Sequence, residues 1–432
     1  MGAIVPHAEI IAIGSELLLG GREETNSIWL SRWLAARGIE LRVKSAVSDA
    51  TQDIAEAVKL AARRSRVVIL TGGLGPTNDD RTRHGVAAAT RRRLTRSVEA
   101  WSGIADRLAV WGRTPTAAQR RQALIPSGAG VLPNALGTAP GFHLTWRGVL
   151  IAALPGVPAE AERMLEPLAA VLEEQHIGHR GAILQRELHT FGLPEPEVDR
   201  LTSRIARRYR DMEFSVLASP LGVTVVLTAM PGRGSRSAER RLVQACRGLR
   251  AVLGSHVFGA DGKTMEQVVG ETLLKQRLTV AVAESCTGGL IGHRLTQMPG
   301  SSGYLDRGVI CYSNTAKEEM IGVSASVLRR YGAVSAETAA AMAAGMRSTA
   351  RTDLALSVTG IAGPGGGSDR KPVGLVYIGL RARPALKSKR RPDAITREYR
   401  FHGSRHTIKQ RASQAALDLL RRWLFRLPPQ GK

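Results

Sequence analysis

Four short apolar runs each end abruptly in a glycine-rich or hydroxyl-bearing turn, and stretches of helical spacing separate them. Glu9-Ile-Ile-Ala-Ile-Gly14, Arg66-Val-Val-Ile-Leu-Thr71, Leu278-Thr-Val-Ala-Val-Ala283 and Asp353-Leu-Ala-Leu-Ser-Val-Thr359 read as buried strands. Helical spacing is predicted over Asn26–Arg37, Thr51–Arg64 (capped by Asp49 or Thr51), Ala159–Gln175 and Ser335–Thr349 (capped by Ser335). Strand alternating with helix implies open parallel sheets whose ligands sit at the carboxyl ends of the strands.

The 432 residues suggest about two to four domains at ordinary domain sizes. The fold class expected is α/β in three domains, two α/β units with mostly parallel sheets flanking a small α+β domain. The segments are 1–175, 182–259 and 264–432. The middle one reads strand, helix, strand, strand, helix, with a polar loop Pro231–Arg236 before its last helix. The stretch Arg381–Arg400, rich in basic residues, reads as a loop between strands, with Lys387–Arg391 as its basic centre.

The net charge of +24 attracts anions, but arginine is scattered along the chain and aromatic residues are only 4%. That pattern argues against nucleic acid as partner. Three cysteines, Cys246, Cys286 and Cys311, form no CxxC pair and no disulfide framework, which points to a reducing compartment. The N-terminus lacks a signal-peptide pattern, and no apolar run of 18 or more residues marks a membrane span. A cytoplasmic location is expected, with no membrane partner.

Four constellations carry chemistry. Thr71-Gly-Gly-Leu-Gly-Pro-Thr-Asn-Asp79-Asp80 follows a strand; its glycines let backbone N–H groups approach a phosphate, and its paired carboxylates suit a divalent cation. The alternative is a tight turn whose Asp residues cap the next helix. Glu16, Thr25 and Asn26 stand at other strand ends. Glu284-Ser-Cys-Thr-Gly-Gly289 places Ser285 where a strand passes into a helix, exposing a hydroxyl among N–H donors, or else makes it an ordinary N-cap. Tyr312-Ser-Asn-Thr-Ala-Lys317 supplies a base, because a desolvated lysine can deprotonate a serine and Tyr312 can relay the proton or orient the lysine. The plain alternative is Tyr312 in the core and Lys317 in solvent. Thr359-Gly-Ile-Ala-Gly-Pro-Gly-Gly-Gly367 is a second glycine turn, read as a phosphate loop. Cys286 is a rival nucleophile, read as packing. No histidine spacing suggests zinc.

On these motifs, with Gly14–Gly20, Gly137–Gly141 and Leu154-Pro155-Gly156, the whole chain resembles the CinA family, named for competence and damage induction. The first segment resembles its molybdopterin-binding-like domain, the middle its KH-type linker, the third its C-terminal domain. The resemblance implies a nicotinamide mononucleotide deamidase, with Ser285 as nucleophile and Lys317 and Tyr312 as base system. Thr287, Gly288, Gly289, Asn314, Thr359, Gly360, Gly363 and Gly365 would bind substrate. No cofactor is implied there. It also implies an ADP-ribose pyrophosphatase in the first segment. Glu16, Thr25, Asn26, Thr71, Gly72, Gly73, Gly75, Pro155 and Gly156 would bind the nucleotide, and Asp79 and Asp80 a divalent metal, magnesium or cobalt. A homodimer is implied. The rival class is a non-catalytic nucleic-acid accessory of competence or DNA damage. The middle segment lacks a nucleotide-clamping GxxG loop unless Pro231–Gly234 substitutes for it.

Overall fold

The computed structural model describes residues 5–178, 181–230, 235–388, 391–428 and 430. Residues 231–234, the expected GxxG substitute, and residues 389–390 of the basic loop lie outside the described residues. The chain divides into two compact units. One comprises Met1–Leu184 with Ala229–Arg241, the other Gln185–Thr228 with Leu242–Lys432.

In the first unit, β1 (His7–Ile13), β2 (Glu40–Val47) and β3 (Val67–Thr71) come from the predicted runs. β4 (Leu94–Arg96) and β5 (Leu124–Pro126) form a separate antiparallel pair. β6 (Gly130–Leu132), β7 (Gly141–Trp146) and β8 (Val149–Leu154) complete a sheet of order β2-β1-β3-β8-β7-β6. Its β2, β1, β3 and β8 run parallel, and β7 and β6 are antiparallel additions. Because helices cover both faces of the central strands, β3 and β8 are buried at every residue. Two apolar cores result, one on each face. The buried carboxylate of Glu9 is held by Arg64 through two bonds of 2.9 Å.

The second unit holds a four-stranded sheet of β9 (Leu184–Thr190), β10 (Met212–Ser219), β11 (Gly222–Ala229) and β12 (Val257–Ala260). Its order is β10-β11-β9-β12. The larger sheet is built from β13 (Val280–Glu284), β14 (Leu305–Ile310), β15 (Leu354–Gly360), β16 (Leu375–Ala382) and β17 (Ala394–Arg400), in order β14-β13-β15-β16-β17. β14, β13 and β15 are parallel; β16 and β17 are antiparallel. Phe191 and Phe258 pack against the core of this larger sheet. The α/β class is therefore shown, with parallel strands at the heart of both large sheets.

Some expectations need correction. The Arg381–Arg400 stretch is not all loop: Ala394–Arg400 is the edge strand β17, with Ile395 and Tyr399 packed on the core at period-two spacing. Interleaved charge, normal for an edge strand, hides that alternation. The helix expected over Ala159–Gln175 breaks into Pro158–Arg163 and Leu165–Glu174. Pro167 lacks an N–H and its ring crowds the carbonyl four residues back, so the first helix ends there. Neither Asp49 nor Thr51 caps Thr51–Arg64; the cap position is Ala50, and Asp49 Oδ2 accepts from Ser15 N at 2.8 Å instead. Ser335 does cap Ala336–Ala350, accepting from Thr338 N at 3.1 Å. Among the described residues no helix is long and apolar enough to cross a membrane.

The C-terminal helix Arg405–Leu424 carries a buried charge cluster. Asp418 accepts from Arg421 at 2.6 Å and Arg422 at 2.7 Å, and both arginines also reach the carbonyl of Ser255. All three side chains are nearly sealed from water. Removing one member of such a group leaves a buried charge unpaired. Asp418→Ala is expected to lower the unfolding free energy of this unit by about 3–5 kcal/mol in a urea titration. A loss under about 1 kcal/mol contradicts a buried, coupled cluster.

Candidate functional site

The carboxyl ends of β13, β14 and β15 meet in the second unit. Ser285 N donates to Val358 O at 3.0 Å, and Cys311 N donates to Glu284 O at 2.9 Å, so the turns leaving all three strands start from one place. The turn after β13 needs its glycines: Gly288 and Gly289 have φ of 61° and 91°, in the left-handed region. The helix Leu290–Thr296 follows.

Lys317 comes from the helix Asn314–Ile321, whose N-cap Ser313 accepts from Ala316 N at 3.0 Å. That first turn folds the lysine back beneath its own N-terminus. Its Nζ lies 3.2 Å from Ser285 Oγ, 2.9 Å from Cys311 O, 3.1 Å from Tyr312 O and 3.4 Å from Ser313 O. The side chain is 1% exposed and Ser285 is 8% exposed. No carboxylate pairs with the amine among the described residues, and burial pushes its pKa below the ordinary lysine value. A neutral amine has two N–H bonds and one lone pair. Here the N–H bonds face carbonyls and the lone pair can face the serine hydroxyl. Cys286 is buried beside Ser285, and burial pushes its thiol up to about 12, so it stays protonated near neutrality.

Other residues need a different account from the one their motifs suggested. Tyr312 is 59% exposed and its hydroxyl accepts from Arg405 at 3.0 Å; its carbonyl, not its hydroxyl, contacts Lys317. The expected proton relay through Tyr312 has no such contact here, because the side chain is drawn outward by Arg405. Gly288 and Gly289 do not offer their N–H groups to a ligand. Gly288 N donates to Ser285 O, and the buried carboxylate of Glu284 accepts from Gly289 N, Ile291 N and Gly292 N at 3.0, 3.1 and 2.8 Å. The motif did not reveal this role of Glu284; an acidic residue directly before a helix-opening turn was the available signal.

Thr287 is fully buried, and its Oγ1 has no partner among the described residues. Asn314 is exposed at the first position of its helix. Thr359 turns away to Ala333 O at 2.7 Å. At Gly360 a Cβ would lie 2.7 Å from Leu375 O, so its role is close packing. Arg405, also unforeseen, donates to Gly363 O at 2.8 Å and so ties the second glycine loop to Tyr312. Gly365 borders open space.

The first unit has its own site, a cleft of about 390 Å³ at the strand ends. Glu16, Thr25, Asn26, Thr71, Gly72, Gly73, Gly75, Asp79, Asp80, Pro155 and Gly156 all line it. Asn26 donates to Thr71 Oγ1 at 2.7 Å and Gly156 O at 3.0 Å, while Thr71 donates to Pro155 O at 3.2 Å. A Cβ on Gly72 would fall 2.3 Å from Ile13 O, so only glycine fits that turn. Arg83, missed in the sequence, is buried beneath the loop and donates to Leu74 O and Gly75 O at 2.7 and 2.9 Å. Asp80 Oδ2 is engaged by Thr77 N at 2.8 Å.

The cleft is acidic on a basic chain, with Glu23, Glu24, Asp49 and Glu160 joining Glu16, Asp79 and Asp80. Oxygen donors of this kind suit a hard divalent cation. Among the described residues no three acidic, histidine or cysteine side chains converge to hold one. A divalent ion seated there would be held by one or two carboxylates and shared with substrate phosphates, as magnesium commonly is.

Lys317 also carries a pH consequence. Its folded pKa is lowered, so the unfolded chain binds more protons between that value and about 10.4. Burial costs nothing above the unfolded pKa, and stability falls as pH drops through the window toward the folded value. An NMR titration of the Lys317 side chain is expected to show a midpoint below about 10.4. A midpoint at or above that value contradicts the desolvation argument.

Comparison with known proteins agrees with the arrangement of motifs. The family described as "CinA C-terminal domain" matches residues 262–424, and "Probable molybdopterin binding domain" matches residues 9–174. A CinA-like protein of Solibacter usitatus is 39% identical over 420 residues, 96% of this chain and 97% of that protein. A CinA-like protein of Geobacter metallireducens is 40% identical over 416 residues, 96% and 98% of the two chains. The solved competence/damage inducible protein CihA of Agrobacterium tumefaciens is 41% identical, covering 36% of this chain and 91% of that chain, with a TM-score of 0.34. With full-length relatives at this identity, the chain belongs to the CinA family of competence-damage-inducible proteins.

Proposed function

We propose that the second unit hydrolyses the carboxamide of nicotinamide mononucleotide, releasing nicotinate mononucleotide and ammonia. The observation that carries this is the 3.2 Å contact between Ser285 Oγ and a buried Lys317 that has no counter-ion among the described residues. Neutral Lys317 takes the serine proton as Oγ attacks the amide carbon. Backbone N–H groups of the turn that follows Ser285 would stabilise the developing oxyanion. Lys317 then returns its proton to the departing nitrogen, and ammonia leaves an ester on Ser285. Water attacks the ester as Lys317 accepts its proton, and Lys317 passes that proton to the departing Ser285 Oγ as the acid is released.

This reading places the protein in the cytoplasm as a nucleotide-recycling hydrolase, working as a homodimer without membrane or nucleic-acid partner. It needs no cofactor. Ser285→Ala is expected to reduce ammonia release by about 10³-fold or more, as loss of a nucleophile does in other acyl-transfer sites. Activity within about tenfold of the unaltered protein removes Ser285 from the chemistry.

The acid-lined cleft of the first unit favours a second activity, cleavage of the ADP-ribose pyrophosphate. Asp79 and Asp80 would hold a divalent ion, magnesium or cobalt, that neutralises phosphate charge. The chain's own glycine turn would seat the pyrophosphate against Gly72 and Gly73, with Asn26 and Thr71 fixing the wall behind it. ADP-ribose cleavage is expected to disappear in Asp79→Ala and on chelation. Cleavage that survives both contradicts this second activity.

A further inference from the structure

The first glycine turn of the second unit has no free place for a phosphate, and the cations beside the second already hold other partners. At the first, the Glu284 carboxylate already takes three N–H groups at the start of the helix Leu290–Thr296, so a phosphate arriving there meets like charge. At the second, the cations on hand are committed. Arg405 is bonded to Gly363 O and Tyr312, and Lys371 to Tyr331 O and Val334 O at 2.8 and 2.7 Å. Lys317 is committed beneath Ser285.

Lys409 is different. It stands four residues after Arg405, on the same face of the helix Arg405–Leu424. Its amine reaches over the first glycine turn, since a Cβ placed on Gly288 would be 3.4 Å from Lys409 Nζ. It is half-buried and makes no hydrogen bond or ion pair among the described residues. A half-desolvated ammonium without a partner, beside a nucleophile, is arranged for an anion that arrives with the substrate.

We propose that Lys409 is the anion-binding residue of this site, holding the phosphate of the mononucleotide whose amide faces Ser285. The assignment rests on the deamidase reading for the identity of the ligand. It explains how the site would prefer a nucleotide over the corresponding nucleoside although a carboxylate already takes the N–H groups of its first glycine turn.

The test is calorimetric binding of nicotinamide mononucleotide and nicotinamide riboside to the full chain carrying Ser285→Ala, with and without Lys409→Ala or Lys409→Arg. Lys409→Ala is expected to weaken mononucleotide binding by about 10- to 100-fold, as loss of a charge-assisted bond does. Riboside binding should stay unchanged, and Lys409→Arg should restore most of the mononucleotide affinity. Equal mononucleotide affinity with and without Lys409 overturns the proposal. So does a parallel loss for both ligands, which reports a general structural or oxyanion role, and so does an absence of mononucleotide binding to either protein. Ammonia release by the unaltered chain is read separately, so a site that binds through Lys409 without turnover would fail the deamidase reading and leave the phosphate contact standing.

Discussion

A lysine amine sealed from water among three main-chain carbonyls and a serine hydroxyl organises the second unit. Lys317 has no counter-ion among the described residues, so its position depends on carbonyls that point the right way. Those carbonyls belong to Cys311, Tyr312 and Ser313, the residues that leave β14. Their direction is set by the parallel pairing of β14 with β13 and by the capped start of the helix after them. Burial, not these carbonyls, lowers the proton affinity of the amine, and the same turn presents it to Ser285.

Glu284 plays the complementary part. A carboxylate at the end of a buried strand is costly unless its lone pairs are used. Three consecutive-turn N–H groups use them and pin the loop that carries Ser285. The first unit solves its own loop problem with the opposite charge, through the buried guanidinium of Arg83 under Leu74 and Gly75. That leaves carboxylates free to line its cleft, while the second unit's site presents cations. The two sites thus have opposite local character on a chain whose overall charge is +24.

Much of this was legible in the sequence because it is local. Apolar runs ending in glycine mark strands and their carboxyl ends, and set Ser285, Lys317, Asn26 and Thr71 near those ends while leaving an N-cap or a solvated lysine as open alternatives. What was not legible depends on partners far along the chain. The direction of Tyr312 is decided by Arg405, 93 residues away. The demotion of Asp49 from helix cap to a partner of Ser15 depends on β2 lying beside β1. β17 was hidden because charged residues share its short alternation with Ile395 and Tyr399. Glycine turns suggested phosphate sites, but nothing in a glycine reveals that a neighbouring carboxylate already occupies its N–H groups.

The central claim is that Ser285, activated by Lys317, carries the acyl group. Mass analysis of the protein quenched during turnover of nicotinamide mononucleotide tests this most directly. The account predicts that the peptide holding Ser285 gains the nicotinoyl nucleotide mass as an ester cleaved by hydroxylamine. The same mass found on Cys286, or on any residue other than Ser285, would contradict it.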